Sequence, residues 1–139
     1  MLGTVSGATR CPCGSRGPFA ACCGALHAGR RAGAPTAPTA ERLMRSRYSA
    51  FATGDTAYLL ATWHPSTRPR TLDLDSDLEW LRLEVRDAQA GGPDDDAGTV
   101  EFVAHYWVAA SRERGQQHER SAFVRERGQW FYVGEAPRV

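Results

Sequence analysis

The chain contains no lysine; all seventeen of its basic residues are arginine. Arginine's planar fork suits bidentate contacts with phosphate or carboxylate, but an Arg-, Ala- and Gly-rich composition also follows from a GC-rich genome, and the plainer explanation is preferred. No stretch approaches the ~18 consecutive apolar residues that span a bilayer. The opening MLGTVSGATR lacks the apolar core of a secretory signal, so a soluble, cytoplasmic protein is expected. There is no Walker loop, no dinucleotide fingerprint and no serine nucleophile elbow, which removes the chemistries those motifs carry. Internal repeats are absent, and so is cysteine after residue 23.

What is present fits one ordinary globular domain. Hydrophobic residues make up 42% and charged residues 24% of 139, so a second unit must be small and needs a staple other than a large core. The net charge of +1 hides a split. Residues 1–50 hold seven Arg and one Glu, a net +6, and residues 51–139 hold ten Arg and fifteen acids, a net −5. A divalent ion on four thiolates contributes −2 and leaves the first part near +4, too modest for a nucleic-acid-binding surface.

All four cysteines lie in Cys11-Pro12-Cys13-Gly14-Ser15 and Phe19-Ala20-Ala21-Cys22-Cys23-Gly24, a C-x-C-x8-C-C spacing. Thiols kept reduced and clustered in this way are metal ligands more often than disulfides, and a vicinal Cys22–Cys23 disulfide is strained. Four thiolates suit structural zinc. Redox use and an iron–sulfur cluster are the alternatives. Adjacent Cys22 and Cys23 can chelate one ion if they leave the first turn of a helix that begins near Phe19. His27 could contest a ligand position, but four sulfurs complete the set.

Residues 31–38 read as a Gly/Pro/Ala linker or ordered strap. Thr39 is placed to cap a helix through Leu43, Met44, Tyr48 and Phe51 that Gly54 stops, and Asp55 to cap a second through Tyr58, Leu59 and Trp63 that Pro65 ends. Four β-rich runs follow, Leu78–Val85, Thr99–Ala110, His118–Arg127 and Gln129–Val133. The separators are Gly91-Gly92-Pro93-Asp94, the Arg114-Gly115 region and Arg127-Gly128. Helices followed by strands indicate an α+β fold, with helices packed on one face of a curved antiparallel sheet.

The cysteine block resembles the SEC-C motif, the zinc knuckle at the C-terminus of the SecA translocation motor, in which the last ligand is often His where Cys23 stands. Thr39–Phe51, Tyr58-Leu59-Leu60, Thr62–Arg68, Glu119–Phe123 and Trp130–Val133 are similar to the YchJ-like (UPF0225) family. The resemblance covers nearly the whole chain. It implies a SEC-C zinc-binding motif over residues 1–30, a linker over 31–38 and an NTF2-like (cystatin-like) cone over 39–139. The family's function is not established. Many members carry a second knuckle at the C-terminus, and none is present before Val139.

In such a cone, polar groups aimed inward are either functional or paired for structure. The candidates are Arg47, Tyr48, His64, Arg68, Glu119 and Ser121. Period-2 alternation with Phe123 turns Glu119 and Ser121 inward. Arg47 or Arg68 is then expected to pair with Glu119, as a structural closure or as part of a ligand-binding or catalytic site. His64, between Trp63 and Pro65, is expected to cap carbonyls, with a general-base role as the alternative. Alternation puts His105 with Glu101 and Trp107, on the convex face or facing a partner. Asp73, Asp75, Asp77 and Glu84 imitate a calcium loop but have Leu78 where the loop needs glycine, so they read as solvated turn acids.

Two functional classes follow. One is an interaction or adaptor module whose knuckle contacts a macromolecular partner and whose cone holds a small ligand. The other is an NTF2-like enzyme of isomerase, dehydratase or hydrolase class, using Tyr48, His64 and Glu119. An open cone with a carboxylate or imidazole lacking a counter-charge points to chemistry inside it; a filled cone points to the adaptor.

Overall fold

The computed structural model describes residues 8–34 and 36–136; the first seven residues of the expected knuckle unit, Pro35 of the linker and the last three residues of the cone lie outside them. A 3-10 turn, Phe19–Ala21, precedes helix α1, Cys23–Ala32, and Gly33 in the left-handed region ends it. The last turn of α1 therefore includes Arg31 and Ala32, both placed in the linker by the sequence reading.

Helix α2, Ala40–Thr53, starts where the Thr39 hydroxyl accepts the Arg42 N–H at 3.1 Å, and ends at Gly54, whose φ of 80° a Cβ would resist. Helix α3, Thr56–Ala61, is capped by Asp55, which accepts the Tyr58 N–H at 3.0 Å. It stops four residues before Pro65. The chain leaves it to bridge the sheet: the Tyr132 N–H reaches the Thr62 carbonyl and the His64 N–H the Tyr132 carbonyl, each at 2.8 Å.

The sheet is antiparallel in the order β1 (Leu78–Ala90), β2 (Ala97–Val108), β3 (Glu113–Glu126), β4 (Gln129–Glu135). Register breaks in β1 and near Ala122 bend it. Arg127 and Gly128, with φ of 54° and 77°, form the expected two-residue hairpin. Arg114-Gly115 is not a separator. It lies inside β3, where a Cβ on Gly115 would sit 2.5 Å from the Tyr106 ring, and the turn falls at residues 109–112 instead. Asp77 accepts the Ala110 N–H at 2.9 Å, so this acid ties a turn rather than a calcium ion.

The concave face presents Val100, Phe102, Ala104 and Phe123 to Leu43, Met44 and Tyr48 of α2, with Leu59 and Trp130 closing the core. Among the described residues no helix is long and apolar enough to cross a membrane.

The cysteine unit is seated on this body. Leu26 joins the main core, and buried His27 lies 4.3 Å ring to ring from Tyr58. The His27 Nε2–H donates to the Ser46 carbonyl at 2.8 Å, so its Nδ1 carries no proton in the neutral ring. Burial pulls the imidazole below its ordinary value, outweighing that bond and the nearby Asp55. The unfolded chain takes up the proton first, near pH 6.5. Stability is therefore complete above that pH and is lost as pH falls below it, down to the folded value. Urea midpoints should drop between pH 7.5 and 5.5, and drop less in His27→Gln. Equal drops in both proteins would remove His27 as the cause.

Candidate functional site

Cys11 and Cys13 flank a tight loop in which the Cys11 N–H donates to the Gly17 carbonyl at 2.8 Å. Cys22 breaks the helical path, with φ −122° and ψ −114°, between the 3-10 turn and α1. That break turns two adjacent side chains toward one point. The four sulfurs lie within 4.8 Å of one another, none is in a disulfide, and Cys13 and Cys22 are 3.7 Å apart. A tetrahedron of thiolates at about 2.3 Å from an ion has edges of about 3.8 Å. The set fits a tetrahedral, thiolate-preferring metal.

Electrostatics argue the same way. Hydrogen bonds from Cys13 and Cys23 hold the Cys11 thiol far below its ordinary value, while contact with Cys11 pushes Cys13 up, and contact with Cys11 and Cys13, then burial, pushes Cys23 up. A divalent cation lets all four ionise together.

Helix α2 supplies the surroundings. Arg42 donates to Cys23 Sγ at 3.6 Å and Cys22 Sγ at 3.4 Å, Arg45 donates to the Cys13 carbonyl at 2.8 Å, and the Ser49 hydroxyl is 3.5 Å from Cys11 Sγ. Arg42 offsets the negative charge of a tetrathiolate site. Arg42→Ala should keep the fold and lower metal affinity by about 10–100-fold, the usual cost of removing a group that supports the ligands. Competition with a chromophoric chelator measures this, and unchanged affinity would make the contact incidental.

The opposite face of α2 looks into the cone, where a cavity of about 190 Å³ is open. Tyr48 and Phe51 of α2, Trp63, and the sheet residues Trp80, Phe102, Phe123 and Tyr132 give it an aromatic wall, and Arg47, Gln117, Glu119 and Ser121 add the polar groups. Glu119 accepts from the Ser121 hydroxyl and, at 3.2 Å, from the Tyr132 hydroxyl, both on Oε2. Burial, with Glu119 next, raises the Tyr132 phenol to about 12, so it remains a donor at neutral pH. Arg47 is 5% exposed. Its Nη1 donates to the Leu59 carbonyl and to Thr62 Oγ1, both at 2.8 Å, and its Cζ lies 5.1 Å from the Trp63 ring and 4.6 Å from that of Tyr132. Burial lowers it to about 10, which leaves it cationic at pH 7.

Arg47, Tyr48, Glu119 and Ser121 therefore share the cavity, whereas His64 and Arg68 do not line it. His64 Nδ1 accepts the Ser66 N–H at 3.1 Å, so Nε2 carries the proton, which it donates to Glu126 at 2.9 Å on the outer rim. Arg68 is exposed and donates to the Trp63 carbonyl at 2.9 Å. Neither expected Glu119–arginine pair forms. Arg47 is pinned by the end of α3, and hydroxyls take the place of a counter-charge on Glu119. His105 lies opposite the cavity, 3.4 Å from Glu84.

Sequence reasoning missed Arg42, Trp63 and Tyr132. Arg42, Arg45 and Ser49 do follow helical spacing as a polar stripe opposite Met44, Tyr48 and Phe51, and that was a readable sign of a second contact face. Nothing local marked Tyr132 as the partner of Glu119, because the contact crosses strands.

Comparison with known proteins agrees with this architecture. The model of the YchJ middle, NTF2-like domain matches residues 39–135. A UPF0225 protein of Chromobacterium violaceum is 54% identical over 128 residues, covering 88% of this chain and 89% of that one. One from Streptomyces coelicolor is 49% identical over 123 residues, covering 88% and 91%. Among solved structures, the solution structure of a SEC-C motif containing protein from Rhodopseudomonas palustris superposes with a TM-score of 0.75 at 34% identity, over 94% of this chain and all of that one. The crystal structure of another, from Psychrobacter arcticus, gives 0.76 at 26%, over 96% and 86%. With an NTF2-like α+β body, a four-cysteine knuckle of SEC-C type and relatives near 50% identity along most of its length, the chain belongs to the YchJ-like UPF0225 family.

Proposed function

We propose that this protein is a zinc-stapled module that binds a small, largely aromatic ligand inside its cone. One observation carries the reading: the interior is open, at about 190 Å³, and its aromatic wall holds a carboxylate and a guanidinium that do not pair with each other. An engineered apolar cavity of roughly 150 Å³ accepts benzene, so the volume suits a single ring with small substituents. Pockets of mostly apolar lining with a few fixed polar groups are the usual form of ligand sites.

Zinc is the metal that a closed set of four thiolates suits best. Cys13 and Cys23 are fully buried and Cys11 nearly so, and Arg42 and Arg45 are committed to the knuckle from within the same chain. This supports a role in holding α2, the wall of the cavity, over one in meeting a macromolecular partner. The open cone and a Glu119 held by hydroxyls without a counter-charge are the features expected of the enzyme alternative. With His64 on the rim, however, the cavity lacks the imidazole expected to act with it, and binding is the reading preferred.

Trp63 and Trp80 both line the cavity and provide the test. Titration of the metal-loaded protein with a panel of neutral and charged monocyclic aromatics should give saturable changes in tryptophan fluorescence for at least one of them. Linear, non-saturating quenching by every compound would refute the binding role.

A further inference from the structure

The two charged groups in the cone are held apart in a way that specifies a ligand. Arg47 cannot swing to Glu119, because Nη1 is tied to the Leu59 carbonyl and Thr62 Oγ1 while the guanidinium lies over Trp63 and Tyr132. Glu119 is fixed by Ser121 and Tyr132 through Oε2. Among the described residues, no carboxylate comes within 4.0 Å of Arg47, and Oε1 of Glu119 accepts no hydrogen bond. The Trp63 indole N–H, beside Arg47, is buried without an acceptor among the described residues. A buried guanidinium that touches no carboxylate, with Glu119 acting on it only across the cavity, favours an anionic acceptor, and the orphaned indole N–H calls for an acceptor of any charge.

Resting on the cone as a binding site, we propose that its ligand is a monocyclic aromatic anion: an oxyanion such as a carboxylate seats on Arg47, and a donor elsewhere on the ring meets Glu119. A cationic ligand is disfavoured, because Arg47 already occupies the faces of Trp63 and Tyr132 that would hold it. Both polar anchors are locked before the ligand arrives, which limits the ordering cost of binding. Arg47 here is a ligand-binding residue that also ties down the end of α3, so its loss can disturb the fold. Charge-preserving and Glu119 variants separate the two effects.

The test is a titration of the zinc-loaded full chain at pH 7 with toluene, benzoate, benzamide and benzylamine, followed by NMR. Benzoate should bind about tenfold or more tightly than benzamide, as a charge-assisted bond to a buried guanidinium implies, and benzylamine should bind weakest. Arg47→Met should bring benzoate down to the level of benzamide, and Arg47→Lys should restore part of the difference. Glu119→Gln should tighten benzoate by removing a like charge. At least one hydroxybenzoate isomer should exceed benzoate in the natural protein, and the advantage should vanish in Glu119→Gln. If toluene or benzamide binds in the cone and benzoate binds no better, the anion proposal is wrong and the binding site stands. If benzylamine binds best, the charge assignment is inverted and the proposal fails. If none of the four binds, both readings fall together.

Discussion

Cys23→Ser should release the metal and unfold the knuckle, the largest effect expected of any single substitution in this chain. Cys23 is fully buried, and its sulfur is one corner of the four-sulfur set. Serine offers a harder oxygen on a shorter bond where the site is built for thiolate. In small zinc modules the metal contributes about 10–16 kcal/mol of apparent binding free energy, nearly all of it folding free energy. Elemental analysis should find one zinc per natural chain and close to none in the variant. Amide exchange should rise first before Gly33. It should then rise in the N-terminal half of α2, because Arg42, Arg45 and Ser49 lose their partners there. Exchange confined to the residues before Gly33 would make the knuckle an independent bead. Full zinc occupancy in Cys23→Ser would remove Cys23 from the ligand set.

The second large effect is expected at Phe123. Its side chain is 2% exposed, packs edge-on against Tyr132 at 5.8 Å and forms part of the cavity wall. Truncation deletes buried apolar surface beside space that is already open, so neighbours have little to collapse against. Phe123→Ala should cost about 3–5 kcal/mol, in the range seen for phenylalanine in cores. The urea midpoint of the metal-loaded protein measures it. A loss below about 1 kcal/mol, within the range of ordinary surface substitutions, would mean that Phe123 is not part of the structural wall.

Much of the framework was legible because it is local. Thr39, Gly54 and Asp55 mark helix ends by chemistry confined to one turn, and they are the caps observed. The cysteine cluster was readable from spacing alone, and alternation through Phe123 placed Glu119 and Ser121 inward. The misreadings at Gly115, at the end of β1 and at Glu119 share one cause, contacts between residues far apart in the chain. Gly115 serves a ring on the neighbouring strand, so the same residue that marks a turn by composition sits in mid-strand. Strand β1 runs on to Ala90 because β2 offers partners as far as Gly98, whatever the weak β character of Asp87-Ala88-Gln89. Charge arithmetic suggested that Glu119 takes an arginine, but Ser121 and Tyr132 reach it first and α3 holds Arg47 away.

That separation of charges around an open, aromatic cone is the centre of the account. The most direct test is methyl NMR of the zinc-loaded protein during separate titrations with toluene and with benzoate, using Met44 and Ala104 as reporters inside the cavity and Leu81, 43% exposed, as the control outside it. The account predicts saturable shifts at Met44 and Ala104 with Leu81 unmoved. Shifts spread over the surface, or none at Met44 and Ala104 with either compound up to its solubility limit, would contradict it.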